Sequence, residues 1–589
     1  MLALMDAQMR RAFARRWLAD DPDPDDAATI QGWLDADDDA ALAAAFGPPL
    51  AFGTAGLRGP LQPGPAGMNR AVVRRITAGL AVRLRLEADA HARGVVVGGD
   101  HRHGSQAFAD EAAAVLAGAG YRVVRLPGAV PTPLVAFTVR HLGAAAGVMI
   151  TASHNPPGDN GYKVYWGDGA QIRPPLDIEI AEAADAIDRV TDLPLAPEAV
   201  TGPPTDLDEA FLAAATALAP DPPPARLRIV HTPLHGVAGP WVRAALARAG
   251  HHDVSLVASQ AEPDPDFPTL RAPNPEVPGA LDAALAQAEA EAADLVLATD
   301  PDGDRLAVAV PAAPGAEDAA PAPDAAPGSG WRVLSGDETG CLLGASLLDR
   351  HGTGASVATT VVSSRLLARV AHAHGAHCAE TLTGFKWLAT AAEAADRQGR
   401  QLVLAYEQAL GIMANPAVRD KDGISAAVVT ADLVASLAAQ GRTVHDALDD
   451  LARAHGLHLT GEHAVALAER GGPSHAERAL DALRADPPAA VAGVAVTAVD
   501  DRVAGERRPA EGPVEPLSTP SAPLVGLWLA DGGRLQARPS GTEPLLKLYA
   551  EVIEPVAAAE PVAAARTRAA ARRDAQLAAF ADLLAAVAG

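Results

Sequence analysis

The 589-residue chain sets 73 Asp and Glu against 48 Lys and Arg, a formal charge of -25, with 49% hydrophobic and 21% charged residues. That length exceeds one hydrophobic core and points to about four domains of an ordinary globular protein. The acidity argues against a nucleic-acid partner or an anionic membrane surface, because phosphate would be repelled over most of the surface. A phosphate ligand fits only where basic side chains and backbone amides are gathered locally. Two cysteines, Cys341 and Cys378, are too few for a disulfide framework or a zinc site and read as reduced thiols. No run spans a membrane, and Met1 to Arg16 lacks the apolar segment of a signal peptide, so a cytoplasmic location is expected.

Residues 1–50 read as helical, with Trp17, Ile30, Trp33 and Leu34 as apolar anchors. Strands are expected at 94–98 and 121–126 with an alanine-rich helix between them, and again at 147–150. A proline-rich stretch over 192–224 encloses a short helix and marks a boundary. The rhythm resumes with a strand at 227–230, a helix from about Pro240 and a strand at 294–298. Residues 311–330, almost all Pro, Ala, Gly and acid, read as a flexible surface insertion. Strands at 356–362 and 401–404 bracket further helices. The hexapeptide Glu-Pro-Val-Ala-Ala-Ala stands twice in tandem over 554–565 and leads into a C-terminal helix. Alternation of this kind argues for α/β layers with mixed or parallel sheets.

Thr151 to Lys163 reads Thr-Ala-Ser-His-Asn-Pro-Pro-Gly-Asp-Asn-Gly-Tyr-Lys. It follows the apolar strand end Gly147-Val148-Met149-Ile150. Asn155-Pro156 and Asp159-Asn160-Gly161 are expected to turn the backbone rather than let it pair. Ser153 then sits on a loop at a strand's carboxyl end, placed to act as nucleophile or phosphoryl carrier. Asp300-Pro301-Asp302-Gly303-Asp304-Arg305 directly follows the strand at 294–298. Its three carboxylates at alternate positions can face one side and offer oxygens to a hard divalent cation such as Mg²⁺. A calcium-binding EF-hand is excluded, since its sixth position would be Arg305 and its twelfth Pro311. Arg538-Pro539-Ser540-Gly541-Thr542 gathers a guanidinium, two hydroxyls and a glycine amide into a compact anion cradle. Tyr406-Glu407-Gln408-Ala409-Leu410-Gly411 follows a strand, and the Glu407 carboxylate can accept two adjacent sugar hydroxyls.

The Ser153 string resembles the phosphoserine loop of the α-D-phosphohexomutases, the phosphoglucomutase and phosphomannomutase family. The acidic string resembles that family's metal loop, with Asp300, Asp302 and Asp304 at the ligand positions and Ser153 bringing its phosphoryl group to the ion. Arg538, Ser540, Gly541 and Thr542 match its phosphate loop. Glu407 matches its sugar-binding glutamate, while Gln408 departs from the usual acid and Ala409 matches the branch with phosphopentomutase-like proteins. Phe52 to Gly59 resembles the first active-site segment, which makes Arg58 a phosphate contact. Thr383-Gly384-Phe385-Lys386 and Arg419 to Gly423 resemble the ends of the sugar-recognition region, and 231–236 and 273–276 resemble structural segments of the second domain.

The resemblance implies three related α/β mixed-sheet domains and a smaller C-terminal α+β domain around a central cleft. The spans expected are 1–200, 201–328, 329–455 and 456–589. It implies an isomerase that moves a phosphoryl group between the 1- and 6-positions of a hexose, phosphoglucomutase first, with phosphomannomutase or phosphopentomutase as alternatives. Mg²⁺ and a sugar 1,6-bisphosphate intermediate would be required, with Arg305 offsetting phosphate charge and Lys163, Lys421 and His154 as proton-transfer or phosphate contacts. The expected partners are small sugar phosphates, for a monomer or homodimer. Two readings from other classes are a metal-dependent sugar-phosphate phosphatase and a non-catalytic sugar-phosphate sensor. The phosphatase has no need of a second phosphate cradle, and the sensor no need of an intact serine and acid triad.

Overall fold

One strand arrangement is used three times along the chain. In the computed structural model, which describes residues 6–53, 56–220, 222–313, 330–466, 473–540 and 545–588, the first sheet runs in the order 57–60, 159–166, 146–150, 95–99, 123–125. Val95–Gly99 is flanked by parallel neighbours on both sides, and Asp159–Trp166 returns antiparallel beside Ala146–Ile150. The second sheet repeats this as Trp331–Val333, Leu306–Pro311, Leu295–Thr299, Arg228–Thr232 and Asp253–Leu256. In the third, Ala355–Thr360 again lies between parallel strands, His377–Thr381 and Gln401–Glu407. The parallel strands are apolar runs such as Ala146–Ile150 and Leu295–Thr299, buried along their whole length, as strands covered on both faces must be.

Packing divides the described chain into two compact units, residues 1–334 with 409–439, and residues 335–408 with 440–589. In the first unit, helices Ala7–Leu18, Pro24–Asp35 and Asp39–Ala45 are each started by an aspartate, Asp6, Asp23 and Asp38, whose side chain accepts a backbone N–H of the first turn. They close a small core of Ile30, Leu34, Leu42 and Phe46, with Trp17 and Trp33 packed against it. Gly423–Ala439, an apolar helix, packs inside this unit on the second domain, where it contacts helix Gly239–Arg248 and the strands Leu295–Thr299 and Leu306–Pro311.

The second unit holds the three parallel strands of the third sheet and an antiparallel sheet in the order 457–466, 545–554, 534–539, 525–529, 494–501, 506–509, 515–516. Helices Pro473–Ala485 and Val562–Ala588 cover it, which makes the C-terminal domain α+β. Leu527, Leu535, Leu548 and Phe580 fill the core between sheet and helices.

The expected strands at 94–98, 227–230, 294–298 and 401–404 are present, with ends moved by a residue or more. One expectation fails. Asp159-Asn160-Gly161 does not turn; it opens the strand Asp159–Trp166 and pairs with Pro60, Gly59 and Arg58. The Asn160 amide donates to Ser105 Oγ and to the His103 carbonyl, so a turn-forming side chain is spent on tertiary bonds. Gly161 is needed for closeness, because a Cβ there would lie 2.5 Å from the Thr151 carbonyl oxygen. Most of the expected insertion, 314–329, lies outside the described residues; its flanks Pro311 and Trp331 pair antiparallel. Among the described residues no single helix is long and apolar enough to cross a membrane.

Candidate active site

Ser153 is 1% exposed and takes a left-handed backbone, φ 54°, which an L residue adopts only under constraint. Its N–H donates to Thr151 Oγ1 at 2.8 Å, and Thr151 Oγ1 donates to Asp100 Oδ2 at 2.5 Å. The Ser153 hydroxyl is thereby aimed at the second domain, where it donates to Asp300 Oδ2 at 2.6 Å. His154 Nδ1 lies 3.0 Å from the same hydroxyl.

The acidic loop is folded onto itself. Asp300 Oδ1 accepts the backbone N–H groups of Asp304 and Arg305, and Gly303, at φ 73°, makes the turn. Thr132 binds the loop from the first domain, through its N–H to the Asp302 carbonyl and its hydroxyl to Asp302 Oδ2 at 2.6 Å. On the other side the Gly423 N–H donates to the Gly303 carbonyl. The outcome is three buried carboxylates, Asp300, Asp302 and Asp304, with an oxygen of each within 4.8 Å of the others.

Lys163, fully buried on the strand after the serine loop, donates to Asp302 Oδ2 at 2.7 Å and Asp304 Oδ2 at 2.9 Å. Lys421 Nζ is 3.3 Å from Asp304 and 3.4 Å from Asp420. Arg58 donates to Asn155 Oδ1 at 3.0 Å, and its charge acts on all three acids. Burial drives the Asp300 carboxyl well above the usual range, and Asp302 and Asp304 push it the same way. Burial would raise Asp302 too, but the Lys163 ammonium holds it well below. Burial, with Arg305 and Arg58, keeps the His154 imidazole neutral. Three acids are thus forced together against their mutual repulsion. Asp302 Oδ1 and Asp304 Oδ1 are buried without a hydrogen-bond donor. Oxygen donors of this kind, unsatisfied and convergent, fit a hard divalent cation.

Comparison with known proteins agrees with this geometry. Models of the phosphoglucomutase/phosphomannomutase α/β/α domains I, II and III match residues 49–191, 210–314 and 335–455, and that of the C-terminal domain matches 526–569. The chain belongs to the phosphoglucomutase/phosphomannomutase family. Members are mutases, isomerases that relocate a phosphoryl group on one sugar. Among relatives, a Haemophilus influenzae protein named "Probable phosphomannomutase" is 38% identical over 82% of this chain and 93% of its own length. Mouse phosphopentomutase is 33% identical over 94% of this chain and 91% of its own. Staphylococcus haemolyticus phosphoglucomutase is 34% identical over 85% and 90%. A solved family structure from Burkholderia thailandensis shares the fold, with a TM-score of 0.64, 20% identity, and coverage of 91% of this chain and 97% of that one.

Of the residues the sequence singled out, the first unit of this family member brings together Ser153, His154, Arg58, Lys163, Lys421, Asp300, Asp302 and Asp304. Arg305 Nη1 donates to Glu276 Oε2 at 3.0 Å, in the 273–276 segment. In the second unit Glu407 ends the strand Gln401–Glu407 and is 8% exposed. Gly384, at φ 107°, begins the helix Phe385–Arg397 that carries Phe385 and Lys386. Arg538 donates through Nε to Tyr549 Oη at 3.2 Å, and the Ser540 N–H to the Leu545 carbonyl at 2.8 Å. Gly541 and Thr542 lie outside the described residues, and Ala409 falls in the first unit. Sequence reasoning missed Thr132, Thr151, Asp100 and Arg102. Asp100 carried a readable signal, since it directly follows an apolar strand just as Asp300 does.

Proposed function

We propose that this mutase carries its phosphoryl group on Ser153 and moves it between the anomeric and terminal hydroxyls of a hexose monophosphate, glucose first. One observation carries the reading: a buried serine hydroxyl, held in a strained backbone, bonded at 2.6 Å to one of three converging aspartates. In this reading phosphoserine gives up its phosphoryl group as the Oγ–P bond breaks and a bond from phosphorus to the sugar oxygen forms. The sugar hydroxyl loses its proton and Ser153 gains one, giving a sugar bisphosphate. The bisphosphate then turns over and its other phosphate returns to Ser153.

His154, neutral and 3.0 Å from Ser153 Oγ, is assigned the exchange of a proton with that oxygen. Lys163, bound to two carboxylates, serves as a fixed cation. Asp300, Asp302 and Asp304 would hold Mg²⁺, which supplies charge stabilisation to the transferring phosphoryl group. Arg58 and Arg305 are assigned phosphate contacts around it. Glu407, Lys386 and the Gly384-Phe385 turn are assigned to the sugar, with Ala409 removing a hydroxyl contact. Arg538, Ser540, Gly541 and Thr542 are assigned to the phosphate that is not reacting.

A pentose reading is kept alive by the relatives, since the Schizosaccharomyces pombe and mouse proteins named for ribose and pentose cover 90% and 94% of this chain. Comparing kcat/KM on glucose, mannose and ribose 1-phosphates with Mg²⁺ decides between them. Glucose over mannose by less than about a hundredfold is expected, because a site with few hydroxyl contacts discriminates weakly. A ribose preference above about tenfold over glucose overturns the hexose reading. Phosphate release without isomerisation would instead indicate a phosphatase.

A further inference from the structure

Among the described residues, the largest fully buried side chain is a cation that touches no reacting group. Arg102 leaves the loop after strand Val95–Gly99, and its guanidinium lies beneath the serine loop. Nη2 donates to the carbonyls of Ser153 at 2.6 Å and Asn155 at 2.5 Å. Nη1 donates to those of Pro156 at 2.8 Å and Asp159 at 3.1 Å. Among the described residues the carboxylate paired with it, Asp100 at 3.7 Å, is already bonded to Ser105 Oγ, Thr151 Oγ1 and the Arg102 N–H. The Asp302 and Asp159 carboxylates act on it only through their charge. The guanidinium is therefore used on main-chain oxygens and not in a close ion pair.

We propose that Arg102 is a positioning residue for phosphoryl transfer, clamping residues 153–159 in the one shape that presents Ser153 Oγ to the acid triad. Both main-chain polar groups of Ser153 are tied to this support, its N–H through Thr151 to Asp100 and its carbonyl directly to Arg102. A left-handed serine relaxes unless its surroundings over-determine it. Four carbonyls spread over seven residues need a planar fork of donors; an ammonium offers three donors from one point. The clamp is itself backed by the second domain. The Phe267 ring lies under the guanidinium, 5.0 Å from its carbon to the ring centroid, and the neighbouring His103 Nε2 meets Asp266 Oδ1 at 2.8 Å. The domain that supplies the triad thus also braces the loop that must meet it.

This inference rests on Ser153 as the phosphoryl carrier, and the test separates the two. Arg102→Lys is compared with wild type for thermal midpoint, kcat, KM for glucose 1-phosphate, and Ser153 phosphorylation by intact mass after incubation with glucose 1,6-bisphosphate. A wild type that turns over without ever being phosphorylated overturns the carrier reading. With an active, phosphorylated wild type, Arg102→Lys is expected to fold, to lose kcat by at least about tenfold, and to keep KM within about threefold, since loss of alignment spares binding. A folded Arg102→Lys with unchanged kcat overturns the clamp, however much its midpoint falls. If Arg102→Lys does not fold, Phe267→Leu decides, assayed well below its midpoint. A fall in kcat of about twofold or more with KM unchanged supports the clamp, because only alignment has been loosened. Unchanged kcat in Phe267→Leu overturns it.

Discussion

The hydroxyl of Ser153 meets the carboxylate of Asp300 at 2.6 Å across 147 residues of sequence. The two residues hold equivalent places in two sheets of the same topology. Each follows the third parallel strand, Ala146–Ile150 or Leu295–Thr299, just before the chain returns antiparallel. Glu407 ends the corresponding strand of the third sheet. Carboxyl ends of parallel strands are where α/β sheets place their ligand groups. One fold, repeated, thus places a hydroxyl, a set of acids and a further carboxylate at the same structural address.

Replacing Ser153 with alanine is expected to lower mutase turnover by at least about a thousandfold, because the covalent carrier is lost. The fold should survive, since the side chain lost is small and Thr151 still accepts the N–H of residue 153. Intact mass should show one phosphate on wild type and none on the variant. Near-normal turnover of the variant would falsify the phosphoserine route.

Chelation is expected to abolish activity and Mg²⁺ to restore it, with Asp302→Asn crippled at any Mg²⁺ concentration. Asparagine removes one of three charges and leaves Lys163 with a weaker partner at 2.7 Å, so both ion binding and the field at the phosphoryl group suffer. Isothermal titration of Mg²⁺ should show weaker binding to the variant. Full activity in excess chelator would remove the metal assignment from these acids.

How legible this was depended on where the chemistry lies in the chain. The serine and acid strings were readable because each is contiguous and follows an apolar strand. Their mutual approach was not, since it depends on two sheets meeting. The same holds for Thr132, which looks like an ordinary helix-start threonine until the fold brings it to Asp302. Arg102 was invisible for another reason: its partners are main-chain carbonyls, which leave no residue pattern. Asp159-Asn160-Gly161 misled because turn propensity is a local preference, and pairing with residues 58–60 overrides it.

Arg538→Ala is expected to raise KM for sugar phosphate by roughly tenfold to over a hundredfold, from loss of a charged hydrogen bond worth about 1.5–3 kcal/mol. Because Arg538 also lies over the Tyr549 ring, 5.7 Å from its centroid, Arg538→Lys should recover part of the charge but not the fork. Steady-state kinetics on both variants tests this. A fall confined to kcat, with KM unchanged, would place Arg538 at the reacting phosphate instead.

Two buried carboxyls of the second unit should give stability opposite slopes with pH. Burial would raise Glu551, but His458 Nδ1 at 2.8 Å, Arg534 and Arg365 hold it below its ordinary 4.5. A lowered carboxyl contributes stability present above its unfolded value and lost as pH falls below it. Asp337 is the reverse: burial lifts it from 3.8 to about 6, despite bonds from the Ser364 N–H, Tyr406 and Thr460. Its contribution is complete below 3.8 and is lost as pH rises through about 6. Glu551→Gln should therefore lower stability at pH 8 by about 3 kcal/mol or more, as expected when one partner of a buried ion pair is removed. It should also lose less than wild type on acidification. Asp337→Asn cannot ionise, so relative to wild type its thermal midpoint should gain from pH 4 to pH 8. Midpoints of the three proteins between those limits check both signs. An Asp337→Asn difference that stays flat or falls with pH would show that Asp337 is not a raised carboxyl.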